Sequence, residues 1–292
     1  MALQRTTLGW VNGFVGVALF SGTLPATRVA VMDLDPVYLT MTRAAVAGVL
    51  AGTFLLMRHE VRPARADVVP QLVASLGVII GFPLFTALAL EHVTAARATV
   101  FLGLLPLSTA VFGVWRGGER LQLPFWIFAA LGSVLVAGYA IAGGGGDGGT
   151  GVGDLWMLAA ILICGLGYAE GGRLSRRLGG WQVICWSLVL SLPATLPVAL
   201  LVQPDWASVG LPALAGLGYV SLFSMLLGFV FWYRGLAQGG IAAMGQIQLV
   251  QPLLSLALAA LLLGEAVGWD LALVSLAVVA CVAGARRTLR PA

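Results

Sequence analysis

The chain has 292 residues, of which 60% are hydrophobic and only 10% are charged. A soluble globular domain carries roughly 25% charged residues, so this composition excludes a soluble fold and indicates a protein embedded in lipid. The net charge of +4 comes from arginines scattered between apolar stretches, which argues against a nucleic-acid-binding surface.

The basic side chains other than histidine are all arginine, because the sequence contains no lysine. A Walker A phosphate loop requires a lysine, and so does a Schiff base to retinal or pyridoxal phosphate. ATP-driven and light-driven pumping therefore lack a required residue. Cys164, Cys185 and Cys281 lie in apolar stretches without metal-ligand spacing, so we expect no metal site and no cofactor.

Apolar stretches of about 20 residues, the length that crosses a bilayer as an α-helix, follow one another along the chain. Numbered as hydrophobic segments one to ten, they cover residues 8–32, 36–57, 68–90, 94–115, 121–142, 153–174, 181–202, 209–232, 241–264 and 269–285. They predict an all-α integral membrane protein with ten transmembrane helices. Segment one exceeds the roughly 7–15 apolar residues of a signal peptide, so we interpret it as a retained helix.

The arginines between these segments fall on one side of the predicted membrane. Short cytoplasmic connections are enriched in arginine and lysine. One side carries Arg5, Arg58, Arg62, Arg65, Arg116, Arg120, Arg173, Arg176, Arg177, Arg234, Arg286, Arg287 and Arg290, and the other carries Asp33, Asp35, Glu91, Asp147, Asp205, Glu265 and Asp270 with Arg97. The pattern predicts a multi-pass protein with both termini in the cytoplasm.

A glycine-rich run, GGGGDGGTGVG at residues 143–153, separates segments five and six. Its composition is typical of a flexible linker. It divides the chain into a first five-helix repeat (1–142), a linker (143–152) and a second five-helix repeat (153–292). A phosphate-binding loop is the alternative, but the required lysine is missing.

The two halves align with each other after a shift of 146 residues. The shift pairs Trp10 with Trp156, Leu90 with Leu236, Pro106 with Pro252, and Gly118-Glu119 with Gly264-Glu265. Because each half has five predicted helices, an odd number, the second copy enters the membrane from the opposite face. Such inverted repeats are typical of secondary transporters, which bind substrate near the midplane between the repeats.

Several short motifs carry a resemblance to a known family. FSGTLPATR at residues 20–28, Asp35-Pro36 and Arg43 are similar to the opening pattern of EamA-type carriers of the drug/metabolite transporter (DMT) superfamily. The alanine-rich starts of segments four and nine, each followed by Pro106 or Pro252 and then Gly-Glu, resemble its repeat signature. Within the family, the chain resembles the YddG-type exporters of aromatic and other neutral amino acids. Phe20 stands where the family usually has tryptophan.

The resemblance implies a mechanism and a location. It implies amino-acid export across the bacterial inner membrane by alternating access around a central cavity. Segments one, three, four, six, eight and nine would line this cavity. Segments five and ten would pack outside it.

Helix-breaking residues inside the segments are candidates for hinges. An interrupted helix is tolerated in a membrane where it lines a cavity. The predicted hinge residues are Gly22, Pro25, Gly81, Pro83, Pro106 and Pro252. Kinks that serve packing alone are the alternative.

Polar and aromatic residues inside the same segments are candidates for substrate binding, because intramembrane polar groups face cavities or partner helices. The predicted binding residues are Asn12, Phe20, Thr23, Phe82, Phe85, Thr99, Phe101, Tyr168, Ser224, Gln246, Gln248 and Gln251. Hydrogen bonding between helices is the alternative role for the polar members. Trp232 and Tyr233 are predicted to belong to an interfacial aromatic belt.

Few ionisable residues fall inside the predicted helices. Arg43 in segment two is expected to reach carbonyls or a carboxylate, and Arg28 lies toward the outer end of segment one. Glu170 in segment six either pairs with Arg173 or serves as a proton site. So few buried carboxylates favour facilitated diffusion or weak coupling over a tightly proton-driven pump.

Other classes of function lack their signatures. An intramembrane enzyme needs a nucleophile with a base, or metal ligands, and the two histidines, His59 and His92, fall in connections. A channel would show a ring of like charges or a filter loop. A flippase, or a carrier of another small metabolite or lipid-linked sugar, stays an alternative because one fold hosts many substrates. We expect no enzymatic activity and no nucleic-acid partner; the expected partners are membrane lipids and amino acids, with a monomer favoured over a dimer.

Overall fold

A computed structural model describes residues 2–143, 151–263 and 268–288, and within these ranges the secondary structure is helical throughout, without a strand. The α-helices are α1 (Ala2–Ser21), α2 (Thr23–Ala30), α3 (Pro36–Met57), α4 (Arg65–Ser75), α5 (Phe82–His92), α6 (Ala95–Leu102), α7 (Leu105–Trp115), α8 (Leu123–Gly143), α9 (Gly151–Leu178), α10 (Gly180–Leu201), α11 (Leu211–Tyr219), α12 (Phe229–Gly239), α13 (Ile241–Gly245), α14 (Val250–Leu263) and α15 (Trp269–Arg287). Two π-helical segments, Leu76–Gly81 and Val220–Gly228, and one 3₁₀ segment, Gln246–Leu249, connect some of them.

Six continuous helical stretches are long and apolar enough to cross a membrane. They are Thr7–Ala30, Pro36–Met57, Arg65–His92, Gly151–Leu178, Gly180–Leu201 and Leu211–Gly239. Shorter apolar helices cover Leu105–Trp115, Leu123–Leu135 and Ala272–Ala285. The predicted all-α membrane fold is therefore confirmed, whereas the number of ten spans stays a prediction. The predicted linker at 143–152 falls largely outside the described residues.

Helix ends follow local signals in the sequence. Asp35 caps α3, since its carboxylate accepts hydrogen bonds from the backbone N–H groups of Val37 and Tyr38 at 2.8 and 3.0 Å, and Pro36 occupies the first helical turn. Gly179 and Gly240 adopt φ values of 96° and 87°, which strain residues with a Cβ. These two glycines allow the chain to reverse between α9 and α10 and between α12 and α13.

The two halves of the chain interlock rather than lie side by side. Helix α1 packs on α12, α3 packs on α10, and α4, α5 and α7 pack on α9. Glycines make the closest approaches: a Cβ at Gly77 would lie 2.7 Å from the Gly167 Cα, and a Cβ at Gly235 would lie 2.9 Å from the Gly13 backbone nitrogen. Helices α8 and α15 pack on each other.

The helical irregularities recur between the halves. Shifting the π-helical segment Val220–Gly228 back by 146 residues places it on residues 74–82, which overlap the π-helical segment Leu76–Gly81. The break at residues 103–104 between α6 and α7 corresponds in the same way to the end of the 3₁₀ segment Gln246–Leu249. The backbone therefore repeats in detail. Segment one is an exception, because Gly22 divides it into α1 and α2, whereas α9 is continuous.

The apolar residues divide between the interior and the outer surface. Large apolar side chains on α3, among them Val49, Phe54 and Leu56, are exposed, as expected for a surface that faces acyl chains. Trp232 and Tyr233 are fully buried. The prediction that they belong to an interfacial belt is therefore wrong, because the close α1/α12 packing turns both rings toward the core.

Candidate functional site

A small cavity lies where the two halves meet. Its lining residues are Phe20, Thr23, Leu24, Arg43, Val78, Phe82, Pro83, Leu102, Leu105, Tyr168, Ser224, Phe229 and Gln251. They come from segments one, three, four, six, eight and nine, as the resemblance implies, and also from segment two through Arg43. Helices α8 and α15 contribute no described residue to the lining. The free volume is about 20 Å³, which is room for about one water molecule.

Interrupted helices form much of the cavity wall. Phe82 and Pro83 directly follow the π-helical segment Leu76–Gly81, and Ser224 lies within the π-helical segment Val220–Gly228. π-Helical turns occur frequently at functional sites. The extra residue in each turn rotates the side chains that follow it, so both segments direct residues into the cavity.

The break at Gly22 has a specific neighbour. The Tyr219 ring occupies the space where a Cβ at Gly22 would lie. The Tyr219 hydroxyl donates a hydrogen bond to the Leu19 backbone carbonyl at 2.8 Å. This bond satisfies a carbonyl near the end of α1, where the helix is interrupted.

A hydroxyl cluster lies at one wall of the cavity. The Thr23 hydroxyl donates to the Ser224 Oγ at 2.9 Å, and the Arg43 Nη2 donates to the same oxygen at 3.1 Å. The exposed fractions of Thr23, Arg43 and Ser224 are 5%, 3% and 2%. The cluster joins segments one, two and eight, and it crosses between the halves.

Aromatic rings also line the cavity. The Phe20 and Phe229 centroids are 4.9 Å apart, and those of Tyr168 and Phe229 are 6.1 Å apart. Trp232 lies behind them, with its centroid 5.3 Å from that of Tyr168. These spacings are those of favourable tilted and edge-on ring pairs. The cavity therefore combines an apolar aromatic surface with one cationic, hydroxyl-bearing wall.

Half of the predicted binding residues line the cavity: Phe20, Thr23, Phe82, Tyr168, Ser224 and Gln251. The others lie elsewhere. Asn12 donates to the Gln238 side chain at 2.9 Å, and Phe85 stacks on Trp156.

The remaining four predicted residues are buried away from the lining. Thr99 donates to the Ala95 carbonyl in its own helix, and Phe101 belongs to the core. Gln246 and Gln248 are buried in the 3₁₀ segment Gln246–Leu249. This segment winds more tightly than an α-helix, whereas Gln251 lies in α14.

The predicted hinge residues lie at or near the irregular backbone. Gly22 separates α1 from α2, Gly81 ends a π-helical segment, and Pro83 lies in the first turn of α5. Pro25 lies within α2, and Pro106 lies in the first turn of α7. Pro252 falls within α14, and its side chain is outside the described part of the structure.

Sequence reasoning did not place Arg43 among the binding residues, although it is the one charged residue of the described lining. The signal was present, since an arginine within an apolar span is itself a functional indication. Sequence reasoning also missed five apolar lining residues: Leu24, Val78, Leu102, Leu105 and Phe229. An apolar residue in a membrane helix gives no sequence signal that distinguishes a cavity-lining position from a lipid-facing one.

Ion pairs cluster at the end of the bundle that the arginine pattern assigns to the cytoplasm. Glu170 has no exposed surface and pairs with Arg116 and, at 2.9 Å, with Arg173. The predicted Glu170–Arg173 pair is thus present, and Arg116 is an additional partner. Asp67, which is 2% exposed, pairs with Arg177. These contacts tie α4 and α7 to α9.

Glu119 makes the most extensive connection at this end. Its two carboxylate oxygens accept hydrogen bonds from the backbone N–H groups of Ile241 and Ala242, each at 2.8 Å. Arg176 donates to it at 2.7 Å. A carboxylate at a helix N-terminus is stabilised by the helix dipole. Glu119 therefore joins the end of α7 to the start of α13.

At the opposite end of the bundle, the described residues make three such connections. Arg97 forms a two-bond pair with Asp154, at 3.0 and 2.7 Å. Asp33 accepts a hydrogen bond from the Gly210 backbone N–H at 2.9 Å, and Arg28 donates to the Leu90 carbonyl. The described residues thus make contacts at both ends of the bundle, and the cavity between them has room for about one water molecule.

A bundle of apolar helices with two repeats and a small cavity between them is the architecture of many membrane transporters. The comparison with known proteins names the family. The sequence pattern of the "EamA-like transporter family" matches this chain twice, at residues 7–140 and 151–286. The chain therefore belongs to the EamA-like transporter family, with one copy of the unit in each half.

Individual relatives agree with this assignment. The chain is 63% identical over 286 residues to the "Uncharacterized transporter YdeK" of Bacillus subtilis (strain 168), covering 98% of this chain and 99% of that protein. It is 24% identical over 265 residues to the "Probable terminal-alkyne amino-acid exporter" of Streptantibioticus cattleyicolor, covering 90% and 85%. The "Uncharacterized inner membrane transporter YedA" of Escherichia coli (strain K12) is 25% identical over 221 residues, covering 72% and 68%.

A solved structure shares the fold. One crystal structure of a protein superposes with a TM-score of 0.74 at 22% sequence identity, covering 96% of this chain and 98% of the other chain. The similarity extends over both halves, so it includes their relative arrangement. At this level of identity it carries information about the fold alone.

Proposed function

We propose that this protein is a secondary transporter that exports aromatic and other neutral amino acids across the bacterial inner membrane by alternating access. The observation that carries the proposal is the small cavity between the repeats, whose lining combines aromatic rings with the Thr23–Ser224–Arg43 cluster. An amino acid presents the matching chemistry, since it joins charged groups to a side chain that prefers an apolar surface.

The proposal includes the arrangement of the chain in the membrane. Ten spans in two inverted repeats, with both termini in the cytoplasm, account for the arginine distribution. The contacts of the structure support this assignment. Glu119 bonds Arg176, and Arg116 bonds Glu170, and all four residues belong to the end assigned to the cytoplasm. Asp33 and Gly210, which bond each other, both belong to the opposite end.

The choice of substrate is supported by the relative from Streptantibioticus cattleyicolor, which is named an amino-acid exporter. Tyr168, Phe20 and Phe229 provide ring faces for an aromatic or aliphatic side chain. The cavity must expand to admit such a molecule. The two π-helical segments in its walls are suited to this, because a π-turn can relax to α-helix with a rotation of the residues beyond it.

The test is a flux measurement with purified protein in liposomes. Vesicles loaded with unlabelled amino acid are diluted into trace labelled phenylalanine, methionine or threonine, and counterflow is compared with empty vesicles. We expect saturable accumulation of the label. An imposed pH gradient then separates facilitated diffusion, which it leaves unchanged, from proton coupling. Absence of counterflow across the whole amino-acid panel would overturn the substrate assignment.

A further inference from the structure

Arg43 differs from the other charges at buried positions in the described structure. Glu170 and Asp67 each have arginine partners. Arg43, which is 3% exposed, has a hydrogen bond only to the Ser224 hydroxyl, and its Nε has no partner among the described residues. It also lines the cavity. A buried guanidinium therefore faces the cavity with unused donors.

Such a group is costly unless an anion joins it. A buried charge without a counter-ion loses its hydration, and proteins compensate with a paired charge and hydrogen bonds. A guanidinium offers five N–H donors in a planar fork that matches a carboxylate with two parallel bonds. The described lining contains no carboxylate of its own. The missing counter-ion must then come from whatever enters the cavity.

The hydroxyl cluster holds Arg43 in place for this role. Ser224 Oγ accepts from Thr23 at 2.9 Å and from Arg43 Nη2 at 3.1 Å. With both acceptor positions in use, the Ser224 hydroxyl proton is available for an acceptor inside the cavity. The Nε edge of Arg43 and this proton together form a donor set for one anionic group.

We propose that Arg43 binds the carboxylate of the transported molecule and that Thr23 and Ser224 position its guanidinium. The inference rests on the proposed function and specifies the recognised group. The described lining offers no acidic side chain to the ammonium group of an amino acid, and the ring faces of Phe20, Tyr168 and Phe229 are left to the substrate's side chain. The site therefore requires a carboxylate and does not require an ammonium group.

The experiment measures which parts of phenylalanine are recognised. Counterflow of labelled phenylalanine is competed with phenylalaninamide, 3-phenylpropionate and 2-phenylethylamine. For the unmodified protein we expect competition by 3-phenylpropionate and none by the amide or the amine. In Arg43→Gln the apparent affinity for phenylalanine should fall at least about 30-fold, and the preference for a carboxylate should disappear.

Matched variants separate recognition from stability. Arg28→Gln removes an arginine that bonds the Leu90 carbonyl and does not line the cavity, so its competition profile should be unchanged. Arg43→Lys keeps the charge and should recover part of the affinity. Ser224→Ala keeps the guanidinium and should lower the affinity several-fold while preserving carboxylate preference. If Arg43→Gln does not elute as a folded, monodisperse protein, Arg43→Lys and Ser224→Ala are used to test the inference.

The outcomes distinguish this inference from the proposed function. Suppose that amino acids are transported and that Arg43→Gln or Arg43→Lys binds phenylalanine and discriminates among the three competitors like the unmodified protein. This result would overturn the role of Arg43 alone. Failure of all amino acids to move would overturn the substrate assignment. In that case the inference is tested by the change in unfolding temperature that 3-phenylpropionate causes in the detergent-purified protein. A rise that is lost in Arg43→Gln supports the inference. No rise, or an equal rise in both proteins, overturns it.

Discussion

The two halves of the molecule share a backbone design but differ in chemistry. Three pairs of positions related by the 146-residue shift line the cavity from both sides: Val78 with Ser224, Pro83 with Phe229, and Leu105 with Gln251. In the first and third pairs the polar member belongs to the second half. Arg43 has the apolar Val189 as its counterpart. The two halves therefore share irregularities of the backbone, whereas the polar lining residues stand at positions where the copies differ.

The largest expected effect concerns the contacts that the halves make with each other. Gly77→Ala and Gly235→Ala each place a Cβ within 3.0 Å of backbone in the other half, so each should lower the free energy of unfolding by about 2–3 kcal/mol. Thermal unfolding in detergent measures this. Gly218→Ala is the control, because a Cβ there meets nothing within 4 Å. Equal stability of all three variants would contradict the described interlocking.

Glu170 provides a test of divergence at the end that the arginine pattern assigns to the cytoplasm, since its counterpart is Leu24, which lines the cavity. Glu170→Gln leaves Arg116 and Arg173 without their carboxylate. Both arginines are about two-fifths exposed, so we expect a loss of about 2 kcal/mol, below that of a fully buried pair. Arg120→Gln, at a position outside the described ion pairs, should leave the unfolding temperature unchanged. Matching temperatures for both variants would show that the pairs contribute nothing.

A reciprocal change sharpens the comparison at one pair of cavity positions. Ser224→Val removes the hydrogen-bond partner of Arg43 and should raise the apparent KM for phenylalanine about tenfold, the equivalent of one charged hydrogen bond. Val78→Ser places a hydroxyl at the related position and should change the KM less than about twofold. Counterflow at several substrate concentrations gives both values. Similar changes in KM for the two variants would contradict the greater importance of position 224 for substrate binding.

The smallest effect is expected at the opposite end. Arg97→Gln breaks a pair in which both side chains are about one-fifth to one-quarter exposed, so the loss should be below about 1 kcal/mol. Because exposed pairs are screened by salt, the difference from the unmodified protein should shrink between about 0.05 and 1 M NaCl. A difference that grows with salt would be inconsistent with an ion pair. Unfolding temperatures at the two salt concentrations supply the measurement.

The sequence predicted the helical membrane fold and the repeat because both depend on local composition and spacing. Runs such as 36–57 are long, apolar and bounded by charged residues, and α3 has those bounds. The predicted breaks at Gly22 and Gly81-Pro83 coincide with interruptions, since glycine and proline weaken helices wherever they stand. The π-helical segment Val220–Gly228 contains no proline, so only its relation to Leu76–Gly81 under the repeat could have indicated it.

The cavity was less predictable because it depends on contacts between distant residues. Arg43 and Ser224 are 181 positions apart, and no local pattern states that they meet. Phe85 and Phe82 look equivalent in sequence, yet one stacks on Trp156 and the other lines the cavity. Trp232 has the amphipathic character of an interfacial residue, but its close packing against the glycines of α1 places it in the core. Tertiary packing decided each of these cases.

The tightness of the cavity has a consequence for the energy balance of the cell. Room for about one water molecule is too little for a continuous file of waters from one side of the bilayer to the other. In the described part of the structure, protons and small ions therefore find no continuous hydrated route through this cavity. A carrier built in this way can remain in the membrane in quantity without discharging the electrical potential.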